Sequence, residues 1–244
     1  MKARTVLFVH GMWSDAACWA RYRRVFAKSG YDTHALTLRG HETPQDPAWL
    51  RTVGVMDYVE QAAEEIKRLP HVPILVGHSM GALVAQKLAE RGMARAMVLL
   101  ASVAPRGVPC LTPSALTCIS GNLVDIARSR PFIIPPWQAR FGLTNTLSRR
   151  EQDVVQQSLL YESGLAMRQV VMGYIPVDES KVKCPVLVGV GGLDRATPPR
   201  VARRIARKYG ADYHEYIGKC HFVAGDRDIL YDVLEWCDRL RYVG

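Results

Sequence analysis

Two textures of hydrophobic patterning alternate along the chain. Short strand-like stretches are predicted at 5–9, 31–38, 73–76, 96–101, 185–190 and 212–217, nearly unbroken apolar runs except for the more polar 31–38 and 212–217. The runs at 5–9 and 96–101 have no polar interruption, as expected of strands covered on both faces. Between the runs, apolar residues recur at helical spacing. In 54–69, Val55, Tyr58, Val59, Ala62 and Ile66 fall on one stripe. Further helices are predicted at about 19–29, 82–89, 198–209 and 226–240. Gly30 is placed to close the first in a left-handed cap, Gly92 ends the third, and Thr197 is placed to cap the fourth, with Pro198 at its first position. Strands separated by single helices imply a parallel sheet with right-handed crossovers. The expected architecture is α/β, a mostly parallel six-stranded sheet with helices on both faces.

The alternation fails from 105 to 178. This span holds prolines 105, 109, 113, 131, 135, 136 and 176 together with several amphipathic helical patterns. Ser148 and Glu151 form a capping-box pair at the start of the clearest one. The span reads as a helical cap inserted into a core made of 1–104 and 179–244.

One stretch joins pattern to chemistry. The third run enters Gly77-His78-Ser79-Met80-Gly81, and helix formers follow. Strand, sharp turn, then helix is the setting in which Gly-x-Ser-x-Gly lifts a serine hydroxyl clear of a sheet. The tip residue sits in strained backbone, and the flanking glycines let strand and helix pass closely. The pentapeptide alone would arise by chance in roughly one chain in ten of this length, so further parts are needed.

Those parts lie at the carboxyl ends of the predicted strands, where such sheets gather their chemistry. The first run ends in His10-Gly11-Met12-Trp13, the third in Ser79, the fourth in Ser102, the fifth in Asp194, and His221 follows the sixth. Serine, acid and histidine arrive in the chain order of a triad on this topology. The end of the fourth run, 100–104, offers no rival carboxylate. His34, His41 and His71 lack a suitable frame and are expected at the surface; His214 falls inside a strand; His78 is expected to bond locally.

Composition narrows the setting. The 244 residues carry 32 Lys and Arg against 23 Asp and Glu, a net charge of +9. The cations are spread over helix faces (Arg21, Arg23, Arg24; Arg200, Arg203, Arg204, Arg207, Lys208) without interleaved aromatics, so no nucleic-acid partner is expected. Six cysteines lack metal or redox spacing and read as reduced thiols. Met1 to Arg4 carries charge suited to a signal sequence, but the apolar run at 6–9 is too short for one, and no segment reaches membrane-span length. The chain is expected to be cytoplasmic, without stable membrane insertion.

On the His10-Gly11 loop, Gly77 to Gly81, the Gly-x-x-Asp turn ending in Asp194, and His221, the chain resembles the serine hydrolases of the α/β-hydrolase fold. His10-Gly11 followed by Trp19 is similar to the small esterases grouped with plant methylesterases and hydroxynitrile lyases. Two departures count against the lyases, which carry threonine where Gly11 stands and lysine where Phe222 stands. Ser79 excludes dehalogenases, whose nucleophile is aspartate. The resemblance implies a cofactor-free and metal-free esterase acting on a small, largely apolar ester through an acyl-enzyme. Ser79 would be the nucleophile, His221 the base and Asp194 its orienting acid, with the backbone N–H groups of Met12 and Met80 as oxyanion hole. Trp13, Phe132, Trp137 and Phe222 are expected to meet the substrate. Acyl transfer or thioester hydrolysis on the same triad, cofactor-free oxygenation, and non-catalytic ligand reception stay open, as does the oligomeric state.

Overall fold

The six runs become the strands of one sheet in the computed structural model, which describes residues 4–240. They are β1 (Arg4–Val9), β2 (Tyr31–Leu36), β3 (Ile74–His78), β4 (Ala96–Leu100), β5 (Val186–Gly191) and β6 (Asp212–Tyr216), all parallel, in the order β2-β1-β3-β4-β5-β6. The expectation about an N-terminal signal falls on residues 1–3 and lies outside the described residues. Among the described residues no helix is long and apolar enough to cross a membrane.

Alternating side chains on the central strands supply two cores. Leu7, Val9, Leu75, Met97, Leu99 and Val188 face α2 (Val55–Arg68), α3 (Met80–Glu90) and α9 (Pro199–Tyr209). Val6, Phe8, Ile74, Val76, Val98 and Leu100 face α1 (Ala20–Lys28) and α10 (Arg227–Arg239), through Tyr22, Phe26, Ile229, Val233 and Trp236. Phe8 meets Trp19, Tyr22 and Phe26 at ring separations of 5.2, 5.9 and 5.5 Å. Truncating it to alanine would cost about 3–5 kcal/mol.

Some predicted boundaries move, for physical reasons. β2 stops at Leu36 because the Leu38 N–H leaves the ladder for the side chain of His10, at 2.9 Å. Ile217 lies beyond β6 and is almost fully exposed. Pro198, not Thr197, occupies the cap position of α9, and the Thr197 hydroxyl is engaged elsewhere.

Between β4 and β5 the chain forms α4 (Pro113–Ile119), α5 (Leu123–Ala127), α6 (Pro136–Gly142), α7 (Arg149–Ser158) and α8 (Gly164–Val171). The Ser148–Glu151 capping box opens α7 as its sequence predicts. A polar seam ties this segment to the sheet-bearing part. Gln45 bonds the backbone N–H and C=O of Tyr161, Ser163 Oγ donates to Val53 O, and Gln169 Oε1 accepts the Val55 N–H. At its centre His41 Nε2 lies 3.1 Å from Glu162 Oε2, both side chains fully buried, with the Tyr58 hydroxyl on Oε1 at 2.9 Å. This corrects the surface placement expected of His41.

Candidate active site

The order β2-β1-β3-β4 puts the topological switch point between β1 and β3, where open α/β sheets hold their ligands. The loops after these two strands carry His10-Gly11-Met12-Trp13 and Ser79. A side chain on Gly77 would meet the backbone of Gly81 and Ala82, and one on Gly81 would meet the carbonyls of Val9 and His10, each within 2.7 Å. Only hydrogen fits there, so β1, β3 and α3 converge at Ser79. The serine has φ 52° and ψ −116°, with its N–H on the Leu100 carbonyl and its C=O on the Val103 N–H. Trp13 (φ 60°) and Ala101 (φ 47°) are also left-handed, so three of the four such non-glycine residues described cluster here. Each costs of order 1–3 kcal/mol, a concentration typical of functional sites.

His221 Nδ1 lies 2.8 Å from Asp194 Oδ2, both residues buried. A carboxylate at that distance fixes the proton on Nδ1 and leaves Nε2 as a free acceptor. The other Asp194 oxygen accepts the N–H groups of Ala196 and Thr197 at 2.9 and 2.8 Å. The His221 loop is braced in turn: its carbonyl accepts His78 Nε2 at 3.0 Å, and the Phe222 N–H donates to Leu143 O at 3.1 Å. Burial, reinforced by the neighbouring His221, pushes the His78 imidazole down to about 3, so it braces as a neutral donor. Burial and His41 likewise take His10 down to about 3.

Two cavities meet at Ser79 and His221. One is walled by residues such as Ile119, Ile134, Met167 and Val170 and has no Asp, Glu, Lys or Arg in its lining. The other adds Ser14, Asp15, Cys18, Ser158 and Phe222. Met12 and Trp13 line both. Met80 opens α3, so its N–H is one of the first-turn amides that lack an intrahelical partner. Of the residues expected to meet substrate, Trp13 and Phe222 line these cavities, whereas Phe132 and Trp137 line neither. Phe132 packs edge-on against Trp13 with ring centres 5.8 Å apart, and Trp137 is half exposed. Among the described residues no His, Cys, Asp and Glu side chains converge as metal ligands would.

Thr197 and the His41–Glu162 pair were not singled out as functional from sequence, and His10 was read only as part of the loop that it opens. His41 had a usable signal: it follows β2, which lies beside β1, so the rule of strand carboxyl ends reaches it too.

The sequence matches the pattern of the alpha/beta hydrolase family over residues 6–232. A pyrethroid hydrolase from Sphingobium wenxiniae is 29% identical over 176 residues, covering 72% of this chain and 57% of that protein, so the chain spans little more than half the length of this relative. Among solved structures, polyneuridine aldehyde esterase superposes with a TM-score of 0.72 at 15% identity, covering 97% of this chain and all of that one. Tomato methylketone synthase I gives 0.72 at 16%, covering 98% and 99%. A pyrethroid hydrolase from Sphingobium faniae JZ-2 gives 0.72 at 18%, covering 97% and 98%. At these identities the structural likeness is one of fold.

Proposed function

The chain belongs to the alpha/beta hydrolase family, and from that premise we propose that it is a serine esterase cleaving carboxylic esters through an acyl-enzyme. The observation that carries this reading is the buried 2.8 Å contact of His221 with Asp194, opening onto the same cavities as the strained Ser79. His221 Nε2 takes the Ser79 proton as Oγ bonds to the ester carbonyl carbon. The backbone N–H groups of Met12 and Met80 stabilise the oxyanion. The tetrahedral adduct collapses, the C–O bond to the alcohol breaks, and His221 returns its proton to the departing oxygen. Water then repeats both steps on the acyl-enzyme, releasing the acid.

The uncharged cavity suits an apolar acyl group, and the more polar one the departing alcohol. The 105–178 segment acts as the cap that forms most of the wall of the uncharged cavity. Likeness to proteins named as an esterase and as pyrethroid hydrolases supports ester hydrolysis ahead of acyl transfer, oxygenation or ligand reception.

A fluorophosphonate probe should label the wild type and spare Ser79→Ala, and a panel of nitrophenyl esters of graded acyl length should be turned over by the wild type alone. Equal labelling of the two proteins, or equal turnover, would end the proposal.

A further inference from the structure

Four donors converge on the Asp194 carboxylate. Oδ1 takes two backbone N–H groups, and Oδ2 takes His221 Nδ1–H at 2.8 Å and also faces Thr197 Oγ1 at 2.9 Å. The same hydroxyl oxygen lies 2.9 Å from the Ala101 carbonyl and 3.3 Å from His221 Nδ1. A hydroxyl has one proton, so it cannot donate to both acceptors at once. Two physical points decide between them. A bond to an ionised oxygen is about twice as strong as one to a neutral carbonyl. Turning the proton to Ala101 would also set an oxygen lone pair against the anionic Oδ2 at 2.9 Å.

Resting on the triad reading above, we propose that Thr197 is a positioning residue for the Asp194–His221 pair, its hydroxyl donating to the carboxylate oxygen that the imidazole uses. With that bond all four lone-pair directions of the carboxylate are occupied, and Asp194 cannot rotate without losing a partner. The bond also draws charge out of Oδ2 and so moderates how firmly Asp194 holds the imidazolium form of His221. The local sequence provides for this. Pro198 and Pro199 follow Thr197, and proline pushes the residue before it into extended backbone. Thr197 therefore stays outside α9, with its hydroxyl free to turn back onto Asp194. Ala101, the alternative acceptor, is pinned from its other side by its N–H on Gly189 O at 2.7 Å.

The test is the pH dependence of kcat and kcat/KM on a neutral nitrophenyl ester for wild type, Thr197→Val and Thr197→Ser. Valine keeps the shape and removes the hydroxyl. Its carboxylate, relieved of one donor, should hold the imidazolium more tightly, so the acid limb moves to higher pH by about half a unit or more. kcat should fall about tenfold with KM within about twofold, since positioning acts on the transition state. Thr197→Ser should hold the wild-type limb. A Thr197→Val enzyme with wild-type kcat and an unmoved limb overturns the proposal, and so does a limb that moves to lower pH, which would make the hydroxyl an acceptor from His221. Should the valine variant not fold, Thr197→Ala against Thr197→Ser makes the same comparison. A residue needed only for structure would lower stability without displacing the limb. Asp194→Asn and His221→Ala separate this inference from the one beneath it. If either stays active the triad reading falls and Thr197 with it; if both are inactive and Thr197→Val matches the wild type, only the role of Thr197 falls.

Discussion

His10 Nδ1 lies 2.7 Å from the carbonyl oxygen of its own neighbour, Gly11. A trans peptide is planar, so the Gly11 oxygen and the Met12 N–H point to opposite edges of one rigid unit. Holding the oxygen therefore fixes the direction of the amide assigned to the oxyanion hole. The other ring nitrogen accepts the Leu38 N–H at 2.9 Å, so both nitrogens are spoken for by backbone. An imidazole in that position braces the loop and has no lone pair to offer a serine.

His10→Ala should accordingly lower kcat on a nitrophenyl ester by about a hundredfold, the scale of one lost oxyanion donor, with little change in KM. The acid limb of the pH–rate profile should survive in the residual activity. Its disappearance would make His10 the base.

Two histidines buried as neutral rings set the acid stability. His10 and His78 titrate near about 3 when folded and near 6.5 when unfolded. Between those values the unfolded chain binds up to two more protons, so their contribution is present above 6.5 and is lost as pH falls, by on the order of 2.7 kcal/mol per pH unit. His41 has the opposite sign. Burial opposes its charge but Glu162 outweighs it, raising its pKa. Its contribution is full below 6.5 and is lost as pH rises through the folded value. Stability from these three groups should peak near pH 6.5, and urea midpoints taken from pH 7.5 to 4.5 check it. A midpoint that stays flat from 6.5 down to 4.5 would contradict the neutral state of His10 and His78.

Glu162 is the anchor of the polar seam. Glu162→Ala takes the shared partner away from the buried His41 ring and the Tyr58 hydroxyl, and should cost about 3–5 kcal/mol. Glu162→Gln, which keeps oxygen acceptors for Tyr58 and the Ser163 N–H, should cost less. Chemical denaturation gives the difference, and a loss below about 1 kcal/mol for the alanine variant would show that the seam does not depend on this pair.

The sheet was legible because its evidence is local: apolar runs mark the four central strands, and the more polar β2 and β6 stand between helical patterns. Ser79, Asp194 and His221 were legible as candidates because each ends or follows a predicted strand and their order fits one topology. What stayed hidden depends on partners distant in sequence. Glu162 lies 121 positions from His41, and nothing near either residue announces the other. Thr197 looked like a helix cap because threonine before proline usually is one; the competing carboxylate of Asp194 is visible only in three dimensions. Phe132 and Trp137 were read as substrate contacts from apolar character alone, which does not distinguish a side chain facing a cavity from one packed behind it or left in solvent.

The two cavities touching Ser79 share only Met12, Trp13, Leu143 and His221 besides the serine itself. Everything else in their walls is private to one chamber. Ile134 and Val170 can change size without altering what lies beside Cys18, and Ser158 can change polarity without reaching Met167. Substitutions in separate walls can interact only through those shared residues, so where they touch none of them their effects on selectivity should add. Preference for the acid half of a substrate can then diverge among descendants of this chain while preference for the alcohol half stays constant, one chamber drifting as the other is held.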